Sequence, residues 1–208
     1  MPQPNFDLYL ITDRKLTQGY NLLWVLEQAF DGGVRAIQLR EKDLDGRELF
    51  ELAEKISVLC QRYDAQLFIN DRIDVALAVD AAGVQLGETS IPIGPARALL
   101  GTKKWIGFST HNLAEAKAAK RHGADFILFG PVHFTPSKSA YGAPQGLAAL
   151  KEIVEKVALP VYAIGGINAK NLAVTMTTGI HGVALISAIL SAQNPTVAAK
   201  TILAMLER

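Results

Sequence analysis

The feature that most constrains this chain is a repeating alternation. Eight short runs rich in β-branched and aromatic residues recur, at 8–12, 34–40, 66–70, 83–86, 105–109, 125–129, 160–164 and 182–186. Each is followed by a longer segment with helical spacing of its apolar positions, at 21–30, 45–62, 73–79, 95–100, 113–122, 147–157, 169–177 and 196–206. The fifth helical segment carries its own punctuation: Asn112 is a good N-cap, Glu115 stands three residues on as in a capping box, and Gly123 supplies a left-handed stop. Strict strand and helix alternation argues for a parallel sheet covered by crossover helices, and a run such as Val161-Tyr162-Ala163-Ile164 is continuously apolar, as strands buried on both faces are. Eight such units in 208 residues predict a compact (β/α)8 TIM barrel, with a doubly wound open sheet as the structural alternative. No linker, low-complexity segment or charge block interrupts the pattern, so one domain over 1–208 is expected.

Composition narrows the partners. Half of the residues are hydrophobic, enough for a substantial core. With 21 basic and 20 acidic residues the net charge is +1, and no basic run interleaved with aromatics suggests a nucleic-acid platform. The single cysteine, Cys60, lies among Ile56, Val58 and Leu59; it excludes an internal disulfide, fits a reducing compartment and reads as a packed core thiol. The N-terminal stretch lacks the features of a secretory signal, and no apolar run reaches the length of a membrane span. These features predict a soluble cytoplasmic protein without membrane contact, and an apolar edge among the helices would support a homodimer without fixing the oligomeric state.

In a barrel the site is built at the C-terminal ends of the strands, and here those ends are polar. After the second run comes Gln38-Leu39-Arg40-Glu41-Lys42, where period-two alternation would put Gln38, Arg40 and Lys42 on one side as an anion clamp. The bland alternative is a solvated turn with internal ion pairs. After the third run comes Asn70-Asp71-Arg72; Asp71 could hold Mg²⁺ with substrate phosphates completing the shell, or could simply cap the next helix. The sixth run leads into Gly130-Pro131-Val132-His133-Phe134-Thr135-Pro136-Ser137-Lys138, which delivers two hydroxyls and an ammonium from a loop opened by glycine and proline. The seventh run ends in Gly165-Gly166 and the eighth in Ile186-Ser187, where backbone N–H groups of barrels commonly hold phosphate. So many phosphate-suited groups around one mouth would serve two phosphorylated small molecules better than one. No convincing Ser/His/Asp or Cys/His set is present.

LYLITD, QLREK, INDR, GVQLG, GADFILFGPV, PSK, AIGGI and GVALISAI follow one another in an order that resembles the thiamine phosphate synthase family, which also includes the thiazole tautomerase TenI, and the resemblance covers essentially the whole chain. It implies a Mg²⁺-dependent barrel transferase joining 4-amino-5-hydroxymethyl-2-methylpyrimidine diphosphate to 4-methyl-5-(2-phosphoethyl)thiazole, giving thiamine phosphate and pyrophosphate. By the same resemblance Gln38, Arg40, Lys42 and Asn70 would hold the pyrimidine diphosphate, and Asp71 the metal. Ser109 would lie near the pyrimidine and diphosphate; Thr135, Ser137 and Lys138 would contact diphosphate and thiazole. Gly166, Ile186 and Ser187 would cradle the thiazole phosphate, with Lys138 and Ser109 as the catalytic pair.

Two stretches depart from the synthase pattern. The family's HxGQxD stretch is here Gln85-Leu86-Gly87-Glu88-Thr89-Ser90, so Ser90 replaces the second metal-binding aspartate, a TenI-like choice. Glu88 would compensate if the chain stayed extended and put 88 and 90 on one side. The loop spelling also places His133 and Phe134 at unusual positions, whereas Pro131, as in synthases, stands where TenI tautomerases tend to place a catalytic histidine. His133 could serve as a proton shuttle or only as a packing residue; His111, His122 and His181 read as structural. The alternatives left open are a TenI-like tautomerase, a non-catalytic regulator that binds thiazole phosphate, and, more distantly, a barrel for some other sugar phosphate.

Overall fold

The computed structural model describes residues 4–135 and 143–207. Eight parallel strands, β1 (Leu8–Ile11), β2 (Ala36–Leu39), β3 (Gln66–Asn70), β4 (Gly83–Leu86), β5 (Trp105–Thr110), β6 (Phe126–Phe129), β7 (Val161–Ile164) and β8 (Gly182–Leu185), pair in sequence order. β8 returns to β1 through the pairs Leu8–Val183, Tyr9–Ala184 and Leu10–Leu185, so the sheet is closed and has no edge strand. The open-sheet alternative is thereby excluded and the (β/α)8 barrel stands.

Period-two alternation sorts each strand between two cores. Leu8, Leu10, Ile37, Leu39, Ile69, Val84, Ile106, Ile127 and Val183 face outward and pack under the helices. Tyr9, Ile11, Ala36, Phe68, Phe126, Leu128, Tyr162 and Ala184 fill the interior. Phe6 joins them from the segment before β1: its ring stacks 5.0 Å from that of Tyr162, whose hydroxyl donates to the Phe6 carbonyl at 2.7 Å. This aromatic layer makes the N-terminal half of the barrel a packed core rather than a channel. Gly107 is what lets it fit, since a Cβ there would collide with the Phe126 ring and with Gln85 Oε1.

The helices are α1 (Leu22–Asp31), α2 (Gly46–Arg62), α3 (Ile73–Ala78), α4 (Ile93–Leu100), α5 (Leu113–His122), α6 (Gly146–Lys156), α7 (Leu172–Met176), α8 (Ser187–Leu190) and α9 (Pro195–Leu206). The Asn112 cap of α5 forms as its sequence predicts: Asn112 Oδ1 accepts from Glu115 N at 2.9 Å, and Gly123 ends the helix in the left-handed region. Glu115 does not return the bond to the Asn112 N–H but accepts from His111 N at 2.8 Å, so the reciprocal capping box is found on α2 instead, between Asp45 and Glu48. Three boundaries differ from expectation by two residues or more. β2 starts at Ala36 rather than at 34, and α4 starts two residues early, at Ile93. α7 starts only at Leu172, because Asn168 and Asn171 use their side chains to close turns on the Lys170 and Asn168 N–H groups, both at 2.9 Å, instead of continuing a helix. The four-residue α8 and the 3-10 turn Arg14–Leu16 are additions, too short to show a period in sequence.

Candidate active site

Four inward-facing polar side chains come from consecutive strands: Gln38 on β2, Asn70 on β3, Gln85 on β4 and Ser109 on β5. Gln38 is 1% exposed and its Nε2 has no hydrogen-bond partner among the described residues; the Tyr9 hydroxyl, one layer deeper, lies close to it without closing a hydrogen bond, and burial raises the Tyr9 pKa well above its ordinary value. An orphaned buried donor is a cost that a ligand acceptor would remove. Gln85 Nε2 donates to Ser109 Oγ at 3.1 Å, which occupies an acceptor position on the serine and leaves its O–H without a partner within the chain among the described residues.

Asp71 is the centre of this side. Its φ of 60° is left-handed, a strained choice for a non-glycine that aspartate tolerates better than most. The capping alternative fails: Arg72 takes the N-cap position of α3 with no side-chain cap bond. Instead the exposed carboxylate accepts from Asn70 Nδ2 at 2.7 Å and from the Ser90 hydroxyl, while Ser90 Oγ accepts from Gly87 N at 2.7 Å. Ser90 thus stands against Asp71, at the place where the family has its second carboxylate. Glu88 is exposed in a turn closed by Ser90 N to Gly87 O at 3.0 Å. The chain is therefore not extended from 88 to 90, the condition for Glu88 to share a side with Ser90 is not met, and Glu88 makes no hydrogen bond or ion pair among the described residues.

The segment after β2 also turns earlier than alternation suggests, since Leu44 N bonds to Glu41 O at 3.3 Å. Arg40 and Lys42 nevertheless line one cleft of about 200 Å³ with Asp13, Lys15, Glu41 and Asp43. The ion pairs foreseen in the solvated-turn alternative exist, but not between the foreseen partners. Buried Glu41 accepts from the Arg14 backbone N–H at 3.1 Å and from its guanidinium at 3.0 Å, and the same guanidinium grips Asp43 at 2.7 Å. Arg14 and Lys15 hold the Asp43 carboxyl well below the usual carboxylate range. Because Arg14 consumes the carboxylates, the Arg40 and Lys42 side chains make no ion pair among the described residues.

On the other side of the mouth the strands present Leu128, Ile164 and Ala184 inward, and the polar groups are main-chain ones. Gly165 and Gly166 have φ of 96° and 67°, and a Cβ on Gly166 would strike the Phe134 carbonyl. Asn171 Nδ2 holds the Gly166 carbonyl at 2.9 Å. Ile186 follows β8 directly and Ser187 opens α8, next to this turn in the barrel order. Thr135 ends the described part of the β6 loop; Ser137 and Lys138 lie outside the described residues. His133 is half-buried against Thr175, with Nε2 and Oγ1 2.8 Å apart.

The roles of Gln85, Arg14, Asn171 and Thr175 have no signal in the sequence. A glutamine in a strand and a threonine inside a helix carry no motif, and Arg14 is 27 residues from its partner. Cys60 is the core thiol expected: it is 3% exposed and burial pushes its pKa up to about 12. A surface cleft of about 580 Å³ lies at the opposite end of the barrel, lined by 80–82 and 100–104. Its Lys104 is already taken by Asp80 at 2.6 Å and the Ala81 carbonyl at 2.7 Å.

No group of three or more His, Cys, Asp or Glu gathers anywhere among the described residues. A cation at Asp71 would therefore bind through one carboxylate, neutral oxygens such as Ser90 Oγ, and the ligand's own oxygens. That all-oxygen, protein-poor donor set fits Mg²⁺.

A closed parallel barrel with its polar groups gathered on the C-terminal strand ends places the protein in the class of (β/α)8 barrel enzymes. Residues 8–189 match the sequence profile of the family described as thiamine monophosphate synthase. A putative thiamine-phosphate synthase of Geobacter sulfurreducens is 50% identical over 206 residues, 99% of this chain and 97% of that protein. The thiamine-phosphate synthase of Clostridium novyi is 44% identical over 95% of this chain and 97% of its own length. The structure of a thiamine phosphate pyrophosphorylase from Pyrococcus furiosus superposes with a TM-score of 0.88 at 40% identity, covering 96% of this chain and 95% of that one. The chain belongs to the thiamine monophosphate synthase family. No helix among the described residues is long and apolar enough to cross a membrane.

Proposed function

We propose that this protein is a Mg²⁺-dependent thiamine-phosphate synthase, which joins the pyrimidine diphosphate to the thiazole phosphate and releases pyrophosphate. One observation carries the reading beyond family membership: Asp71 holds a left-handed backbone and turns its carboxylate to Asn70 and Ser90 at the mouth instead of capping α3.

In the reaction the bond between the pyrimidine methylene and the diphosphate oxygen breaks, and the methylene carbon bonds to the thiazole nitrogen. Charge builds on the departing diphosphate, so the protein's task is electrostatic stabilisation and positioning. Arg40 and Lys42, left without carboxylate partners by the Arg14 network, neutralise that charge together with Lys138. The unpaired Gln38 Nε2 orients the pyrimidine diphosphate. Ser109, fixed by Gln85, directs its O–H to the reacting region. Asp71, with Asn70 and Ser90 beside it, would hold Mg²⁺, which when bound would add charge neutralisation for the leaving group. The Gly165–Gly166 turn with Ile186 and Ser187 receives the thiazole phosphate.

The test is turnover of purified protein with both substrates and Mg²⁺, reading thiamine phosphate as fluorescent thiochrome, with Lys138→Ala as control. Metal-dependent product that is lost in the control supports the synthase. Saturable binding of thiazole phosphate without product would shift the reading to a TenI-like or regulatory role.

A further inference from the structure

A side-chain relay joins the β6 loop to α7. Thr175 is fully buried, and its hydroxyl donates to the Asn171 carbonyl at 2.7 Å. A hydroxyl has one hydrogen, so toward His133 Nε2, 2.8 Å away, Thr175 Oγ1 can only accept. The neutral His133 ring therefore carries its proton on Nε2 and commits it to Thr175. Main-chain contacts follow the same line: His133 N donates to the Gly165 carbonyl at 3.0 Å, and a Cβ on Gly166 would lie 2.9 Å from that of His133. Asn171, whose backbone carbonyl ends the relay, uses its side chain to hold the Gly166 carbonyl at 2.9 Å.

Both carbonyls of the glycine turn are thus claimed by the strap's own residues. In a trans peptide the N–H points opposite to the C=O. The Gly166 N–H is turned away from His133 and the Ile167 N–H away from Asn171, and neither donates to another group of the chain among the described residues.

We propose that His133, Thr175 and Asn171 form a positioning strap that fixes the Gly165–Gly166 turn with its N–H groups free for the phosphate of the thiazole substrate and ties that turn to the loop following β6. The inference rests on the synthase reading for the identity of the substrate. It makes His133 a positioning residue whose N–H matters and whose basicity does not.

The variants His133→Ala, His133→Gln and Thr175→Val, and the double variant His133→Ala with Thr175→Val, separate these ideas. Two readouts are used: the Kd for thiazole phosphate by calorimetry and the KM for each substrate. The alanine and valine variants are expected to weaken thiazole phosphate about five- to tenfold, the scale of one hydrogen bond, and to leave the KM for the pyrimidine diphosphate within about twofold. The double variant should be no worse than the weaker single one, because both remove the same bond. His133→Gln, which keeps an N–H donor near the Nε2 position but has no base, should restore most of the affinity.

Wild-type affinity in both single variants overturns the strap. So does a His133→Gln protein that binds thiazole phosphate normally but has lost kcat as fully as His133→Ala, since that outcome makes the ring a proton carrier. Should His133→Ala fail to fold, the nearly isosteric Thr175→Val supplies the same comparison. A wild-type protein that binds thiazole phosphate without making product defeats the synthase reading, and the Kd series still decides the strap.

Discussion

Strands β2–β5 deliver Gln38, Asn70, Gln85 and Ser109 into the barrel, whereas β6–β8 deliver Leu128, Ile164 and Ala184 and offer polar groups chiefly from the turns that follow. The first half offers side chains, which can be charged and can hold a cation. The turns after β7 and β8 offer backbone N–H groups, which bring no charge and depend on conformation alone. A diphosphate that must leave with its charge belongs with the first; a phosphate that is only a handle can be left to the second. The contrast predicts that substitutions on β2–β5 act on turnover, and substitutions in the turns after β7 and β8 on affinity for one substrate.

The largest effect is expected at Asp71. Asp71→Ala removes the carboxylate held by Asn70 and Ser90 and should lower kcat by about a hundredfold or more, the scale seen when an electrostatic stabiliser of developing charge is deleted. Binding of thiazole phosphate should stay near wild type. An equal loss of both would erase the division between the halves. Rate measurements at saturating substrates together with calorimetry decide it.

Gly166→Ala probes the opposite half. The left-handed φ of 67° costs a side chain about 1 kcal/mol, and the added methyl would strike the Phe134 carbonyl, so the turn must move. The expected result is a rise of about tenfold or more in the KM for thiazole phosphate, with kcat reduced less and a Tm lowered by a few degrees. A kcat loss with unchanged KM would place this turn in the chemistry instead.

The same contrast explains what could be read in advance. The positions of Asp71, Arg40 and Asn70 are legible because their place at a strand end follows from the alternation of strands and helices. The Asn112 cap is legible because its partner is three residues away. Glu41 is a different case: its charge is visible, but burial beneath Arg14 depends on a contact spanning 27 residues. His133 and Thr175 are 42 apart, and nothing local distinguishes a strap from a shuttle. Where the chain turns, at 41–44 and 87–90, period-two reasoning placed Lys42 and Glu88 on strand faces that do not exist there.

Within the side-chain half, Gln85→Leu should act more gently than Asp71→Ala. It removes the 3.1 Å bond to Ser109 without touching any group assigned to substrate, so the serine loses orientation but keeps its hydroxyl. A loss of one neutral hydrogen bond predicts about a five- to tenfold fall in kcat, and Ser109→Ala combined with it should add little, since the two act as one unit. Full additivity of the two, measured as kcat/KM in a double-mutant cycle, would separate Gln85 from Ser109.

The smallest expected effect, and the sharpest test of the metal reading, is at Ser90. Its hydroxyl donates to Asp71 and accepts from Gly87 N, so it lies against the carboxylate without adding charge. Ser90→Asp would put a second carboxylate beside Asp71. Without a cation, the two like charges repel and one carboxyl is driven toward protonation; with Mg²⁺, both become ligands. The variant should therefore be slightly less stable than wild type in chelator and should gain stability on adding Mg²⁺, with half-maximal activity reached at a several-fold lower Mg²⁺ concentration. Glu88→Gln, in an exposed turn without partners among the described residues, should leave that concentration unchanged. If Ser90→Asp leaves it unchanged too, no cation sits at Asp71, and the side-chain half of the mouth works on its basic residues alone.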